Sequence, residues 1–335
     1  MSIQKIVRLA CILCLATAAL AQAAEADLRV VSRQMLEGDT KWDYLSFEPE
    51  RDHLFITHGD RVDLYDTLKK EVIGTIPNTL GVHGVALAPE LDHGYTSNGL
   101  SSTVTIFELS SLRVLGTLPT EKKPDAIIYD SSTKRVFVAN GDSGTLTVID
   151  ALTNRVIDTV AIGGKLEFQA VDGRGRLYVN VEDRNVLAVV DTASLTVIAK
   201  HDISAGCDSP TGLSIDAPSS RLFVGCRNQK MAVVDGKTGA ILASLPVGKG
   251  CDATAYDSVL MRVYASSGDG TLTVVDGETY VIELVVSTQP TARTLALDPV
   301  MHMLYAVAAE VETSGADGVR PKLKSGSFQL LTIGR

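Results

Sequence analysis

The main pattern in the chain is a series of short runs of β-branched and aromatic residues, separated by turns rich in Gly, Asp and Asn. Runs such as RVFVAN and TLTVID have the length and composition of β-strands. No window of about 11 residues keeps the period of about 3.6 residues expected of an amphipathic helix. The pattern therefore predicts an all-β protein.

Two of these runs recur in a fixed order, roughly every 40 residues. One run ends in an acidic residue, at Asp66, Glu108, Asp150, Asp191, Asp235 and Asp276. The other carries an aromatic residue, at Phe55, Tyr95, Phe137, Tyr178, Phe223, Tyr264 and Tyr305. Repeats of this length, with four strands (a to d) in each, are typical of β-propeller blades. The second series has seven members, so we predict a seven-bladed β-propeller.

The two ends of the chain predict how the ring of blades closes. The seventh repeat has strand a at LALDP, strand b at MLYAV, an insertion at about 309–326, and strand c at SFQLLTIGR, where the chain stops. The missing strand d is supplied by LRVVSRQML, residues 28–36. Pairing of the N-terminal strand with the last blade leaves no open sheet edge within the ring. We therefore expect one propeller domain over residues 28–335.

The strings GDSGTLTVID (141–150) and GDGTLTVVD (268–276) occupy the same place in two repeats. The first contains Ser143 in a setting that resembles the turn of a catalytic serine. The second copy has no serine, and a catalytic serine needs a histidine and an acid as partners. Both strings are interpreted as a b-to-c turn followed by strand c, with Gly and Asp at the positive-φ positions of a tight hairpin.

The first 23 residues have a different character. Lys5 and Arg8 precede an apolar run from Leu9 to Leu20, which ends at Ala21-Gln22-Ala23. This is the pattern of a cleaved secretory signal. The run is about a dozen residues long, shorter than the roughly 20 that span a membrane. We expect a signal peptide at 1–23, a periplasmic or secreted protein, and no membrane span after cleavage.

The repeats resemble a known family. KRVFVANGDSGTLTVIDALTNRVIDTVAIGG, GRLYVNVEDRNVLAVVDTASLTVIA and RLFVGCRNQKMAVVDGKTGAILASLPVGKGCDATAYD are similar to the YVTN-type repeats of the YncE-like periplasmic propellers, and so is ARTLALDP. The resemblance covers residues 28–335. It implies a seven-bladed propeller of the broad quinoprotein amine dehydrogenase β-chain-like class. It implies no reaction, because these repeat motifs are packing motifs.

Candidate chemistry lies at the start of strand a, on the face that carries the d-to-a and b-to-c loops. Alignment of the repeats places one residue per blade at this mouth of the central channel: Asp43, His83, Asp125, Glu167, Thr211, Asp252 and Arg293. Four of the seven are carboxylates, which repel one another unless they keep counter-ions, take up protons or bind a cation. Oxygen ligands suit Ca²⁺ or Mg²⁺, and His83 also admits a transition metal. The alternative is that these side chains only cap strand ends.

Several other partners and cofactors are not expected. The formal net charge of −9 and the absence of a lysine or arginine cluster disfavour nucleic acid. GKGCDA at 248–253 matches G-x-G-x-x-A, but a strand follows it and no helix does, which excludes an NAD site. No C-x-x-C-H motif is present for haem. Trp42 is the single tryptophan, so a quinone cofactor docked on tryptophans is not expected.

Three cysteines remain after signal cleavage: Cys207, Cys226 and Cys251. In an oxidising compartment one pair is expected to form a disulfide. Strands a and b are antiparallel neighbours, so the approach to Leu213 lies opposite Cys226. This favours a Cys207–Cys226 disulfide and leaves Cys251 free. The cysteine spacings match no standard zinc site.

The sequence thus predicts an exported, monomeric propeller that acts as a binding or scaffolding module. Its ligand would be a small molecule, a metal ion or a protein at the mouth. The insertion at 309–326 is a candidate partner-docking loop. The alternative is a metal-dependent periplasmic hydrolase or lyase, of the lactonase type, that uses the carboxylates at the mouth beside a metal.

Overall fold

The structure is a computed structural model that describes residues 28–38, 41–313 and 322–335. The predicted signal peptide at 1–23 lies outside the described residues, and so does part of the insertion, residues 314–321. The described residues form β-strands and two single-turn 3₁₀ helices, Pro89–Leu91 and Glu182–Arg184. The predicted all-β class is confirmed.

Strand β1 (Arg29–Met35) precedes six sheets, each made of four consecutive strands. Blades 1 to 3 are β2 (Trp42–Glu48), β3 (His53–His58), β4 (Arg61–Asp66) and β5 (Glu71–Ile76); β6 (Val82–Ala88), β7 (His93–Asn98), β8 (Thr103–Glu108) and β9 (Val114–Pro119); and β10 (Pro124–Asp130), β11 (Arg135–Asn140), β12 (Thr145–Asp150) and β13 (Arg155–Ala161). Blades 4 to 6 are β14 (Leu166–Val171), β15 (Arg176–Val181), β16 (Val186–Asp191) and β17 (Thr196–Asp202); β18 (Pro210–Asp216), β19 (Arg221–Cys226), β20 (Lys230–Asp235) and β21 (Ile241–Pro246); and β22 (Cys251–Asp257), β23 (Arg262–Ser267), β24 (Thr271–Asp276) and β25 (Ile282–Ser287).

The seventh blade joins the two ends of the chain. It contains β26 (Leu295–Asp298), β27 (Met303–Ala308) and β30 (Gln329–Gly334), and β1 pairs antiparallel with β30 as its outer strand. The register runs from Arg29 opposite Gly334 to Met35 opposite Gln329. The insertion between β27 and β30 holds a short hairpin of β28 (Val311–Thr313) and β29 (Lys322–Leu323). The predicted seven-bladed ring and its closure by the N-terminal strand are confirmed.

Burial explains why the strands differ in sequence. Strands b and c, such as β11 and β12, are buried over most of their length because another blade covers each face of the sheet, and they read as nearly continuous apolar runs. The outer strand β13 is exposed over most of its length. The hydrophobic clusters join neighbouring blades, as Phe137 of blade 3 does with Leu177 of blade 4. Each blade therefore needs its neighbour to bury the apolar face of its sheet.

Hydrogen bonds at the b-to-c turn account for the repeated Asn and Thr. Asn140 Nδ2 donates to Thr145 Oγ1 (3.1 Å) and to Thr147 Oγ1 (2.9 Å), and Asn98 repeats the pattern in blade 2. Ser143 lies in the same turn, where its Oγ accepts a hydrogen bond from the backbone N–H of Lys122 at 2.7 Å. The GDSG string is therefore a structural turn, as the repeat indicates.

Strand a lines the channel and bends at its start. In the six complete blades of consecutive strands, the pairing of strands a and b shifts register near the second residue of strand a, for example between Pro124 and Ile127. Such a bulge re-aims the side chain that it carries. That second residue is the aligned mouth position, so the bulges decide where the candidate side chains point.

Candidate functional site

The seven aligned residues occupy equivalent places in the fold. Six of them are the second residue of a strand a. Arg293 lies two positions before Leu295, the first residue of β26. Their side chains nevertheless meet different partners. They fall into a histidine-carboxylate group, two groups of ion pairs, and the fully buried Thr211.

Asp43, His83 and Asp125 form the histidine-carboxylate group. One ligand atom from each lies within 4.8 Å of the others. His83 Nδ1 is 2.6 Å from Asp43 Oδ2 and 3.6 Å from Asp125 Oδ1. Blades 1, 2 and 3 supply one residue each. Adjacent blades thus place an imidazole nitrogen and two carboxylates around one point at the mouth.

Asp125 is the unusual member of this group. It is only 7% exposed, and its carboxylate has no hydrogen-bond partner among the residues that the structure describes. Burial raises the pKa of Asp125 to about 6; His83 opposes this increase and Asp43 adds to it. The Asp125 side chain keeps 10% of its exposure, and its oxygens are not among the fully buried polar atoms without a partner, so a bound ion can reach them. Asp125 is therefore placed to gain from a cation.

The His83 ring is held with its Nδ1 toward the two carboxylates. Its opposite edge lies against the backbone of Gly99, where an added Cβ would stand 2.8 Å from Nε2. Burial disfavours the charged imidazole, but the hydrogen bond that His83 donates to Asp43 and the charges of Asp125 and Asp43 outweigh it and raise the pKa of His83. Protons and a metal ion would compete for the same nitrogen.

Asp252 and Arg293 form an ion pair beside this group. Arg293 Nε donates to Asp252 Oδ2 at 2.7 Å, and its Nη2 donates to Trp42 O at 3.2 Å and lies 3.5 Å from Asp43 Oδ1. Burial raises the pKa of Asp252 although Arg293 lowers it. The guanidinium thus neutralises Asp252 and part of the charge on Asp43.

Glu167 belongs to a second group of ion pairs, in blades 4 and 5. Lys165 Nζ lies 2.8 Å from Glu167 Oε1 and also pairs with Glu182, which pairs in turn with Arg227. Burial and the charge of Asp125 raise the pKa of Glu167 to about 8, against the effect of Lys165. Lys165, Glu182 and Arg227 did not stand out in the sequence because they lie outside the aligned position.

Thr211 lies apart from the charged groups. Its side chain is fully buried, and its Oγ1 is 2.7 Å from Cys251 O and 3.1 Å from Gly225 O. The hydroxyl therefore ties blade 5 to blade 6.

Carboxylates outnumber permanent cations among the groups just described. There are five carboxylates, of Asp43, Asp125, Glu167, Glu182 and Asp252, and three permanent cations, of Lys165, Arg227 and Arg293. Lys123 adds positive charge near Asp125 and His83. Because the pKa of Glu167 is raised to about 8, that carboxyl is largely protonated at pH 7, and the ionised groups carry no large excess of negative charge.

Tyr44 is a channel residue that the sequence reasoning missed. It follows Asp43 in β2 and crosses the channel to Phe168 of blade 4, with the ring centroids 4.5 Å apart. Burial and the charges of Asp252, Asp43, Glu167 and Asp125 keep the pKa of Tyr44 well above its usual value. The equivalent residues in blades 2, 3, 5 and 6 are Gly or Ala. Aligning one further position would have revealed both aromatic residues, Tyr44 and Phe168.

Cys207 and Cys226 form a disulfide in the structure, with a Cα–Cα distance of 5.5 Å. Cys251 is the free cysteine among the described residues and is buried. Burial, with the charge of Asp252, raises the pKa of its thiol to about 12, which makes it a poor nucleophile and metal ligand.

Thiol titration tests this arrangement. The denatured, unreduced protein without residues 1–23 is expected to contain one titratable thiol per chain, and three after reduction. Cys251→Ser should bring the unreduced value to none. Three thiols before reduction would show that the disulfide does not form.

The comparisons with known proteins support the fold. No family model and no curated protein matches the chain. A similar solved structure is Kuenenia stuttgartiensis hydrazine synthase, with a TM-score of 0.70 and 15% sequence identity, covering 78% of this chain and 91% of that chain. Likeness at this identity shows a shared fold alone. The resemblance to the YncE-like family therefore stays a prediction.

None of the helices in the described residues is long and apolar enough to cross a membrane.

Proposed function

We propose that the protein is a binding module that holds a divalent metal ion at the channel mouth, between Asp43, His83 and Asp125. The observation that carries this proposal is the buried Asp125 carboxylate, which has no hydrogen-bond partner in the described residues and lies 3.6 Å from His83 Nδ1. The propeller fold itself supports a binding or scaffolding role.

The ligand set favours some metals over others. One imidazole nitrogen with two carboxylates suits Mn²⁺, Co²⁺, Ni²⁺ or Zn²⁺ better than Ca²⁺, which prefers six to eight oxygen ligands. Three protein ligands from adjacent blades leave other coordination positions open. The bound ion would thus accept a further ligand from the mouth.

The surroundings favour binding over hydrolysis. A metal-dependent hydrolase or lyase needs a free general base near the metal-bound water. Two other carboxylates at the mouth, Asp252 and Glu167, are paired with Arg293 and Lys165. The open coordination positions still allow a lactonase-type reaction as the alternative. Turnover of a lactone panel by the metal-loaded protein, lost in Asp125→Asn, would favour that alternative.

We also propose that the protein is exported. The signal pattern at 1–23 and the Cys207–Cys226 disulfide both support an oxidising compartment. The intact mass of the protein recovered from the periplasm or medium tests this, because an exported chain should lack residues 1–23.

Calorimetric titration with Ni²⁺ or Zn²⁺ tests the metal site. At pH 7.5 we expect one ion per chain, and about 100-fold weaker binding in Asp125→Asn, because the neutral amide removes one ligand and one charge. Affinity should fall as the pH drops from 8 to 5, since protons compete for Asp125, with a pKa of about 6, and for His83.

Asp60→Asn is the matched control, because it removes an exposed carboxylate from the b-to-c turn of blade 1. Its affinity should equal that of the wild type. Equal losses in Asp60→Asn and Asp125→Asn would show only a general effect of charge. Absence of binding to the wild type would refute the site.

A further inference from the structure

The face opposite the mouth, which carries the a-to-b and c-to-d turns, has an exposed apolar cluster. Val259 is 67% exposed, Val300 is 66% exposed and Met301 is 65% exposed. These residues and Met261 lie in the a-to-b turns of blades 6 and 7. Leu68, which is 74% exposed, lies in the c-to-d turn of blade 1. These five residues are called the turn cluster.

Contacts between blades join these turns into one surface. The Asp257 carboxylate of blade 6 accepts hydrogen bonds from the backbone N–H of Val259 (3.0 Å) and from His302 Nδ1 (2.7 Å). His302 belongs to the a-to-b turn of blade 7, so the two a-to-b turns lie side by side. The side chain of Tyr305 in blade 7 makes a hydrogen bond with Thr67, in the c-to-d turn of blade 1. The turn cluster therefore extends over the adjacent blades 6, 7 and 1.

The turn cluster is a departure from the repeat. Val259 and Val300 occupy the same position in their a-to-b turns, two residues after Asp257 and Asp298. Alignment of the other five blades places these residues at that position: Glu50, Glu90, Ser132, Arg174 and Pro218. The fold thus does not require an apolar residue there. Exposed apolar residues that are contiguous in this way mark an interaction surface.

The two ends of the turn cluster carry opposite charges. At the blade 1 end, Lys70 is exposed in the same turn as Leu68. At the blade 6 end, Glu278 is exposed in the c-to-d turn. Neither Lys70 nor Glu278 has an ion-pair partner among the described residues. Other charged side chains near these turns are paired within the chain: Lys69 with Asp66, Asp257 with His302, and Arg262 with Glu283.

A second copy of the chain fits this surface because the charges are complementary under two-fold symmetry. An axis that lies in the face and runs along blade 7 brings the blade 1 end of one copy against the blade 6 end of the other. Lys70 of each copy then faces Glu278 of the other copy, and the two turn clusters pack together. Stable interfaces bury roughly 800 Å² per partner, which the five apolar side chains reach only together with the polar turns around them. The association should therefore be weak.

We propose that the face opposite the mouth is a self-association surface, through which two copies form a two-fold dimer centred on Val300 and Met301. This inference does not depend on the proposed metal site, and it departs from the monomer expected from the sequence. In such a dimer the two mouths point away from each other. Both metal sites therefore stay accessible.

Sedimentation equilibrium of the metal-free protein tests the dimer. The wild type is expected to dimerise with a dissociation constant on the order of 10 μM, since small interfaces are weak. Val300→Ser/Met301→Ser should weaken the dimer by at least about tenfold, because less apolar surface is buried. Leu152→Ser is the matched control, at a 64% exposed leucine of blade 3 on the same face, and should dimerise like the wild type. A wild type that stays monomeric up to about 1 mM, or a dimer that the double substitution leaves unchanged, overturns the inference.

Charge variants test the two-fold arrangement. Lys70→Glu or Glu278→Lys alone places like charges opposite each other and should weaken the dimer by about tenfold. The combined variant Lys70→Glu/Glu278→Lys restores opposite charges and should recover most of the affinity. Arg29 and Arg335, at the outer edge of blade 7 between the two ends, are the same in every variant. Unchanged melting temperatures would show that each variant is folded.

Two further outcomes would contradict the proposal. A combined charge variant that dimerises no better than either single variant rules out the two-fold arrangement. Binding of a monomeric wild type to vesicles of phosphatidylglycerol and phosphatidylethanolamine, lost in Val300→Ser/Met301→Ser, would assign the turn cluster to a membrane surface instead.

Discussion

Protein that lacks residues 28–36 is expected to lose its cooperative thermal unfolding or to precipitate. These residues form β1, the outer strand of the last blade, which pairs along β30 from Arg29 to Met35. Without β1, the edge of β30 is open and the ring is no longer tied shut. The loss is on the order of 5 kcal/mol, comparable with the whole free energy of unfolding of many domains. Soluble yield and the melting temperature measure it.

A point substitution and a peptide serve as controls for the deletion. Val31→Ser changes a 41% exposed residue at the register break of β1, so its melting temperature should stay close to that of the wild type. A synthetic peptide of residues 28–38 should restore the fold of the truncated protein, because the strand acts by pairing. A truncated protein that melts at the wild-type temperature would refute closure by β1.

Asp125→Asn is expected to raise the stability of the metal-free protein at pH 8, and to raise it more than Asp252→Asn does. The pKa of Asp125 is about 6 in the folded protein and about 4 in an unfolded chain, so folding opposes its ionisation. This penalty is on the order of 2 kcal/mol above pH 6 and disappears below about pH 4. The amide removes it, so Asp125→Asn should be more stable than the wild type at pH 8 and equal to it at pH 4.

Asp252→Asn should change the stability less, because the ion pair with Arg293 at 2.7 Å already offsets part of the burial penalty on Asp252, and Arg293 keeps Asp43, 3.5 Å away, as a charged partner. Thermal melts in a strong chelator at pH 8 and pH 4 measure both variants. Added Ni²⁺ should then raise the melting temperature of Asp252→Asn but not that of Asp125→Asn. Destabilisation by Asp125→Asn at pH 8 would mean that Asp125 only caps its strand.

The fold was predictable from the sequence because each blade repeats the same strand lengths and buried positions. The aromatic series from Phe55 to Tyr305 marks strand b, and strand b is buried in every blade. Closure was predictable as well, since the last repeat lacks its fourth strand and LRVVSRQML was the one strand left over. Both features follow from the local pattern of residues and from the number of predicted strands, which can be obtained from a single sequence.

The candidate site was predictable in position but not in its pairings. Alignment of strand a placed seven residues at the mouth, yet their partners depend on bulges and side-chain rotamers. Thr211 turns to backbone carbonyls, while Arg293 reaches Asp252. Lys165 and Glu182 come from neighbouring loop positions that the repeat does not mark. The Asp125 carboxylate lacks a hydrogen-bond partner among the described residues. Only the three-dimensional contacts show this, because the sequence does not say which side chains reach it.

Anomalous diffraction from crystals soaked in Zn²⁺ tests the central claim most directly. The difference map, calculated from data above the zinc absorption edge, should show one strong peak at the mouth, within bonding distance of His83 Nδ1 and of the carboxylates of Asp43 and Asp125. Crystals of Asp125→Asn treated in the same way should lack it. A wild-type map without a peak between these three side chains, or with its main peak elsewhere on the chain, would contradict the proposed metal site.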